Sequence, residues 1–226
     1  MNKNQITYLL ILILLLGAFL RFYNISGESF WLDEGTTALT IKKHSASEII
    51  QNVKEKGQIL PTYYSYGKYQ YDEDLPAYYV LLRGWINIFG MDEFSFRAFS
   101  AVLSTLALIA IFYLTRYLFD SKTALLATFL SSINLTLIWY SQEARQYSYL
   151  LFLSILSVIF LLKTLKEGKT RYLILLILIN SFIIFPGNLY VRNCSAFFYY
   201  VILNCFHLIF GLMLFIKFCE KERFFE

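Results

Sequence analysis

Charge is scarce in this 226-residue chain. Lys, Arg, Asp and Glu together make up 16% of it, against roughly 25% in soluble domains. With 3 prolines and 10 glycines, collagen-like and disordered compositions are excluded. The 3 cysteines, Cys194, Cys205 and Cys219, match no metal or redox spacing and are too few for a disulfide scaffold. They read as small apolar fillers of helices. No internal repeat and no low-complexity linker is present. The net charge of +4 is not gathered into one basic stripe, which argues against nucleic acid as a partner. What the chain has instead is apolar mass: 58% hydrophobic and 19% aromatic residues. A soluble fold of this size cannot enclose that much apolar surface. The composition leaves an integral membrane protein.

A membrane helix needs about 20 mostly apolar residues. Six charge-free windows qualify: Asn4–Leu20, Ala98–Thr115, Thr123–Gln142, Gln146–Leu162, Tyr172–Val191 and Asn193–Ile216. They are too long for barrel strands, and backbone groups in lipid must bond internally, so they are helices. The predicted fold is all-α, one membrane domain over 1–226, with about six transmembrane helices near 6–22, 98–116, 123–140, 146–163, 172–189 and 196–216. The first window lacks a small-residue cleavage site and runs into Arg21-Phe22-Tyr23, as an uncleaved anchor does.

Basic residues set the orientation. Lys3, the Arg116/Lys122 turn, the Lys163–Arg171 turn and the Lys217–Arg223 tail fall on one side if six helices alternate. That side is cytoplasmic by the positive-inside rule. A long first loop, 24–97, and the turn around Ser141–Arg145 then face outward. Pro76–Met91 is apolar but short, with Arg83 in its middle, and reads as interfacial or re-entrant. Ala38–Lys54 predicts an amphipathic helix on the membrane surface.

Two polar constellations stand out in the outer segments. In the first, Asp33 and Glu34 follow the aromatic Phe30-Trp31 directly. Acids beside an interfacial Trp lose hydration, which marks a site. The same pair also suits an ordinary helix N-terminus, where acids favour the first turn. Downstream, Asp72-Glu73-Asp74 lies among tyrosines that include Tyr78 and Tyr79. Tyrosines suit sugar rings, and equally a membrane interface. The second constellation is Trp139-Tyr140-Ser141-Gln142-Glu143-Ala144-Arg145-Gln146-Tyr147. On a continuous helix Glu143 and Arg145 point roughly 200° apart, so only a break lets both face one cavity. Arg suits a phosphate. A helix-end salt bridge explains the same residues.

Trp31-Leu32-Asp33-Glu34, Asp74-Leu75-Pro76-Ala77-Tyr78-Tyr79, Phe96-Arg97-Ala98-Phe99-Ser100 and Ser141-Gln142-Glu143-Ala144-Arg145-Gln146-Tyr147 occur in the order seen in one family. Over about residues 8–170 the chain resembles membrane glycosyltransferases of the C-type fold. It looks closest to family 39 and its relatives, the polyprenyl-phosphate-mannose protein mannosyltransferases and the lipid A aminoarabinose transferase. The resemblance implies an inverting transfer of sugar from a polyprenyl-phosphate carrier to a hydroxyl of a protein, glycan or lipid acceptor, on the outer face of the cell membrane. It implies Asp33 as general base with Glu34 beside it, and Arg145 with Glu143 at the donor phosphate. Tyr78, Tyr79 and Gln142 line the substrate in that reading. Asp74 occupies a position that helps hold a divalent metal ion in some relatives.

The chain departs from the family pattern at Leu75-Pro76, at Ala98-Phe99 and most after Asn180, where Phe185–Cys194 replaces a Thr-His-Tyr-Phe-like segment. Relatives continue beyond the position of Glu226, so a truncated product is one expectation. Two other readings stay open: a transporter or assembly subunit without catalysis, and an inactive remnant of such a transferase.

Overall fold

The computed structural model describes residues 1–49, 51, 61–65, 68–71 and 76–184, all within one compact unit, Met1–Pro186. The elements are α1 (Lys3–Phe22), α2 (Leu32–Lys43), β1 (Pro61–Ser65), β2 (Lys68–Tyr71), α3 (Pro76–Phe89), α4 (Glu93–Leu118), α5 (Ser121–Ser132), α6 (Leu135–Ser141), α7 (Tyr147–Glu167) and α8 (Thr170–Ile184). The two short strands pair as an antiparallel hairpin; all other regular structure among the described residues is helical.

α4 is the central helix. At 26 residues it is about 39 Å long, and α1, α3, α5, α6 and α7 all pack on it. Its seam with α7 is made of Ala107 and Ala110 against Ile155 and Ile159. Phe112 packs with Ala124 and Leu125 of α5, and Ile6, Leu10 and Ile13 of α1 close over them. Two side-chain pairs tie α8 to α7: Asn180 Nδ2 donates to Ser157 Oγ at 3.0 Å, and Tyr149 Oη donates to the Phe182 carbonyl at 3.0 Å. Hydrogen bonds of this kind join helices where lipid gives no hydrophobic drive to association.

α1 is organised inside out. It exposes Tyr8, Leu9, Ile11, Leu12, Leu15 and Phe19, and it buries Gly17 and Arg21. A helix that hides its charge and shows its leucines is built for an apolar solvent. Arg21 Nε donates to Ser104 Oγ of α4 at 2.8 Å. Its Nη1 donates to the carbonyls of Gly17 and Ser132, at 3.0 and 3.1 Å. Gly17 lets α1 approach closely: a Cβ there would lie 3.2 Å from Ser132 Cβ and 2.5 Å from Leu108 Cδ1.

Three helices, α1, α4 and α7, are long and apolar enough to cross a membrane, and α5 with α6 makes a fourth when counted as one bent span. Among the described residues the count therefore falls below the six predicted. The fifth window is α8, a 15-residue helix, and the sixth, 196–216, lies outside the described residues. The third window is not the continuous helix expected over 123–140. It breaks at Ile133–Asn134 with a bend of 60°. Asn134 starts a new helix by accepting from Leu137 N at 3.0 Å, and Arg21 satisfies the carbonyl of Ser132 on the other side of the break. Both halves of the break thus find partners for their freed backbone groups.

The surface helix predicted over 38–54 is also corrected. α2 begins at Leu32, placing Asp33 and Glu34 in its first turn, and ends at Lys43. His44 is extended, and Ser45 and Glu48 form a reciprocal cap: Glu48 N donates to Ser45 Oγ at 3.3 Å and Ser45 N to Glu48 Oε2 at 2.6 Å. That Ser-x-x-Glu pattern restarts a helix rather than continuing one. Pro76–Met91 is helical as far as Phe89, and the Arg83 guanidinium donates to the Ile41 carbonyl, joining α3 to α2.

Gly17→Val is expected to lower stability by about 1–3 kcal/mol through overpacking, read as a fall in Tm of the detergent-solubilised protein. Gly84→Ala, where an added Cβ meets nothing within 4 Å, is the control and is expected to be neutral or stabilising by up to about 1 kcal/mol.

Candidate functional site

The site forms where α1 ends, α2 and α4 begin, and α6 gives way to α7. Its centre is Glu34, which is 1% exposed. Arg97, in the first turns of α4, donates Nε to Glu34 Oε1 at 2.9 Å and Nη2 to Oε2 at 2.6 Å. This is a bidentate pair. Arg97 also donates Nη1 to the carbonyls of Ile25 and Glu28, at 2.9 and 2.7 Å, and Nη2 to that of Ser29 at 3.3 Å. All five guanidinium hydrogens are therefore used. The guanidinium lies over the Phe30 ring at 5.4 Å. One arginine thus fixes the loop from α1 to α2 as well as the carboxylate.

Glu34 Oε1 also accepts from the backbone N–H of Ala144 at 2.8 Å, the third hydrogen bond to this carboxylate. That bond ties the turn after α6 to the start of α2. The turn spans the gap between α6, which ends at Ser141, and α7, which begins at Tyr147. It supplies the break that Glu143 and Arg145 need in order to face the same region. Gln142 anchors its other flank: Nε2 donates to the carbonyls of Leu20, Arg21 and Tyr23, at 3.2, 3.3 and 3.0 Å, capping the end of α1. Ser100 Oγ donates to the Arg145 carbonyl at 3.2 Å.

Arg145 extends back to α2. Its Nη1 lies 3.4 Å from both the Asp33 carbonyl and Thr37 Oγ1. Thr36 and Thr37 also donate their hydroxyls to the Asp33 carbonyl, at 2.7 and 3.2 Å. The backbone of Asp33 is thus fixed while its half-buried carboxylate accepts no hydrogen bond among the described residues. Glu143 accepts from Trp139 Nε1 at 2.7 Å through Oε1, and its Oε2 is buried with no hydrogen-bond partner among the described residues. Burial pushes the Glu143 carboxyl above the usual carboxylate range. The Trp139 bond and Arg145 oppose that rise, and the charges of Glu34 and Asp33 add to it.

Of the residues singled out by sequence, Asp33, Glu34, Gln142, Glu143 and Arg145 come together. Tyr78 and Tyr79 are fully buried in an aromatic cluster behind them, Tyr78 packing 5.7 Å from Phe99 and 6.1 Å from Tyr149. Asp74 lies outside the described residues. Among the described residues no three His, Cys, Asp or Glu side chains converge as a metal site, and both Glu34 oxygens are already engaged. Arg97 and Arg21 complete this framework and are not among the residues that the sequence motifs single out as site residues. Their signal was present, since each is a lone arginine at the border of an apolar window, where an unpaired charge is too costly to leave unexplained.

A helical, inside-out chain with a buried ion pair at one end of the bundle is an integral membrane protein. Residues 75–216 match the family model described as dolichyl-phosphate-mannose-protein mannosyltransferase. The match covers more than half of the chain, and the chain belongs to that family of glycosyltransferases. It starts after Asp33 and Glu34, so their membership of the site rests on the contacts with Arg97, Ala144 and Arg145. No curated protein and no solved structure matches the chain.

Glu34→Ala strands Arg97 in a buried position and is expected to cost about 3–5 kcal/mol. In a double-mutant cycle, Glu34→Met with Arg97→Met should cost less than the sum of the two single changes, measured by Tm. The Glu143 carboxyl, held above its unfolded range, favours the fold while protonated and loses that contribution as pH rises through its folded value. Glu143→Gln keeps the Trp139 acceptor and does not ionise. Its Tm relative to the parent should therefore rise from pH 4 to pH 8.

Proposed function

We propose that the chain transfers a sugar from a polyprenyl-phosphate carrier to an acceptor hydroxyl on the outer face of the cell membrane, with inversion at the anomeric carbon. The observation that carries this reading is the approach of Arg145 to Asp33 across 112 residues of sequence, in a chain that belongs to a glycosyltransferase family. A cation with a fixed backbone and an acid with an open carboxylate are the two groups such a transfer requires.

In this reading Arg145 binds the donor phosphate and stabilises the charge that grows on it as the bond from the anomeric carbon to the phosphate oxygen breaks. Asp33 takes the proton from the acceptor hydroxyl as its oxygen bonds to the anomeric carbon. The products are the glycosylated acceptor and the free polyprenyl phosphate. Glu34 does not react; with both oxygens occupied by Arg97 and Ala144 N, it positions Asp33 and Arg145 relative to each other. Gln142 fixes the turn from behind, and Tyr78 and Tyr79 back the pocket. The acceptor is a protein, a glycan or a lipid.

Orientation is supported by charge. Arg116, Lys122, Lys163, Lys166, Lys169 and Arg171 lie at the opposite end of α4 and α7 from the site, which the positive-inside rule assigns to the cytoplasm.

The test is transfer by the purified chain from a panel of polyprenyl-phosphate sugars, with and without chelator, since the family likeness gives Asp74 a metal-holding position. Asp33→Asn is expected to lower kcat about 10²–10⁴-fold with Tm unchanged. Arg145→Gln is expected to lower kcat/KM about 10²–10³-fold. Full activity in folded Asp33→Asn would remove Asp33 as base, and substrate uptake into vesicles without transfer would favour a transporter.

A further inference from the structure

A cavity lies at the other end of the bundle, along α4 and α7. It has a volume of about 680 Å³, within the range of roughly 300–1,000 Å³ typical of small-ligand pockets. Leu106, Ala110, Phe152, Leu156 and Ile159 make an apolar floor. Arg116, Tyr117 and Lys163 line its polar end. Nineteen residues of α4 separate Arg97 from Arg116, about 28 Å along the axis, so this pocket is about one bilayer thickness away from the candidate site.

Three features of the polar end converge. Among the described residues neither Arg116 nor Lys163 pairs with an acid. Lys163 is instead held over the Tyr172 ring at 5.4 Å, and Lys166 lies over the Tyr117 ring at 5.1 Å. The Tyr117 hydroxyl is buried with no hydrogen-bond partner among the described residues. Two cations and an unmet hydroxyl at the mouth of an apolar groove are complementary to a phosphate attached to a hydrocarbon chain. Both walls belong to candidate membrane spans, so the apolar floor of the groove lies at hydrocarbon depth. Basic pockets between membrane helices on the positive side are suited to anionic head groups.

We propose that this groove binds an anionic membrane phospholipid, with an acyl chain along Leu106–Ile159 and the phosphate between Arg116, Lys163 and the Tyr117 hydroxyl. The full chain, purified in detergent and delipidated, is mixed with phosphatidylglycerol or phosphatidylcholine of the same acyl chains. Bound lipid is counted by native mass spectrometry, and Tm is measured in parallel. The expected result is preferential retention of phosphatidylglycerol. Removing each cation should weaken it roughly fivefold, so R116Q/K163Q should bind both lipids alike. Tyr117→Phe keeps the shape of the groove and should weaken phosphatidylglycerol several-fold with the lipid-free Tm unchanged; it decides the matter where R116Q/K163Q fails to fold. Equal retention of the two lipids by the parent chain would overturn the proposal. So would undiminished phosphatidylglycerol binding by folded Tyr117→Phe. A photo-crosslinker at Leu156 should capture lipid; capture of residues 187–226 or of a second copy instead would show the groove to be a protein interface and overturn it as well.

Discussion

The buried pair of Glu34 and Arg97 is the constraint on which the candidate site depends. Remove either partner and a charge is left in a place with no water to receive it. Because the pair is bidentate and Arg97 also donates to three carbonyls of the loop from α1 to α2, that loop has no independent freedom. The Ala144 N–H adds a link to a part of the chain more than a hundred residues away. A single carboxylate thereby sets the distance between the start of α2 and the turn after α6. Those two segments carry Asp33 and Arg145, so the spacing of the proposed reacting groups follows from a salt bridge that takes no part in the chemistry.

The rest of the bundle is arranged to make that pair affordable in an apolar solvent. α1 turns its leucines outward and its arginine inward, and Arg21 spends its hydrogens on α4 and on the broken α5–α6 span. The break is the consequence of two local events, an Asn134 cap and an arginine that meets the carbonyls above it. Its 60° bend redirects α6, which leads into the turn that Glu34 grips. Gly17 belongs to the same device, since a larger residue would hold α1 away from Ser132 and pull Arg21 from its partners. Close packing by small residues and hydrogen bonds by buried polar ones replace the hydrophobic drive that lipid cannot supply.

Length and periodicity made the long helices legible in the sequence. α1, α4 and α7 coincide with charge-free windows because nothing competes with a run of about 20 apolar residues. The gap between α6 and α7 was legible too, as the condition under which Glu143 and Arg145 share a region. Short polar signals were harder to weigh. Asn134 sits inside an apolar window, and its capping role competes with hydropathy that reads straight through it. Ser45 and Glu48 spell a cap, yet the apolar spacing around them suggested one continuous helix. Arg97 was visible only as one residue of a family-like motif at the border of an apolar window. Its role depends on Glu34, 63 residues earlier, and a pairing at that separation leaves no periodic trace.

Asp33 and Glu34 show why adjacent acids need not share a role. Successive residues of a helix point about 100° apart, so one carboxylate of the pair faces the bundle and the other cannot. Glu34 enters the bundle, and both of its oxygens are consumed by Arg97 and the Ala144 N–H. A carboxylate so engaged has no oxygen left to reach an acceptor hydroxyl. Asp33 is left half-buried with its carbonyl held by Thr36 and Thr37, and its carboxylate accepts no hydrogen bond among the described residues. Environment rather than residue type separates the two functions. The sequence leaves open whether the acid pair serves a helix start or a site; the helix start turns Glu34 into the scaffold and leaves Asp33, about 100° away, out of it.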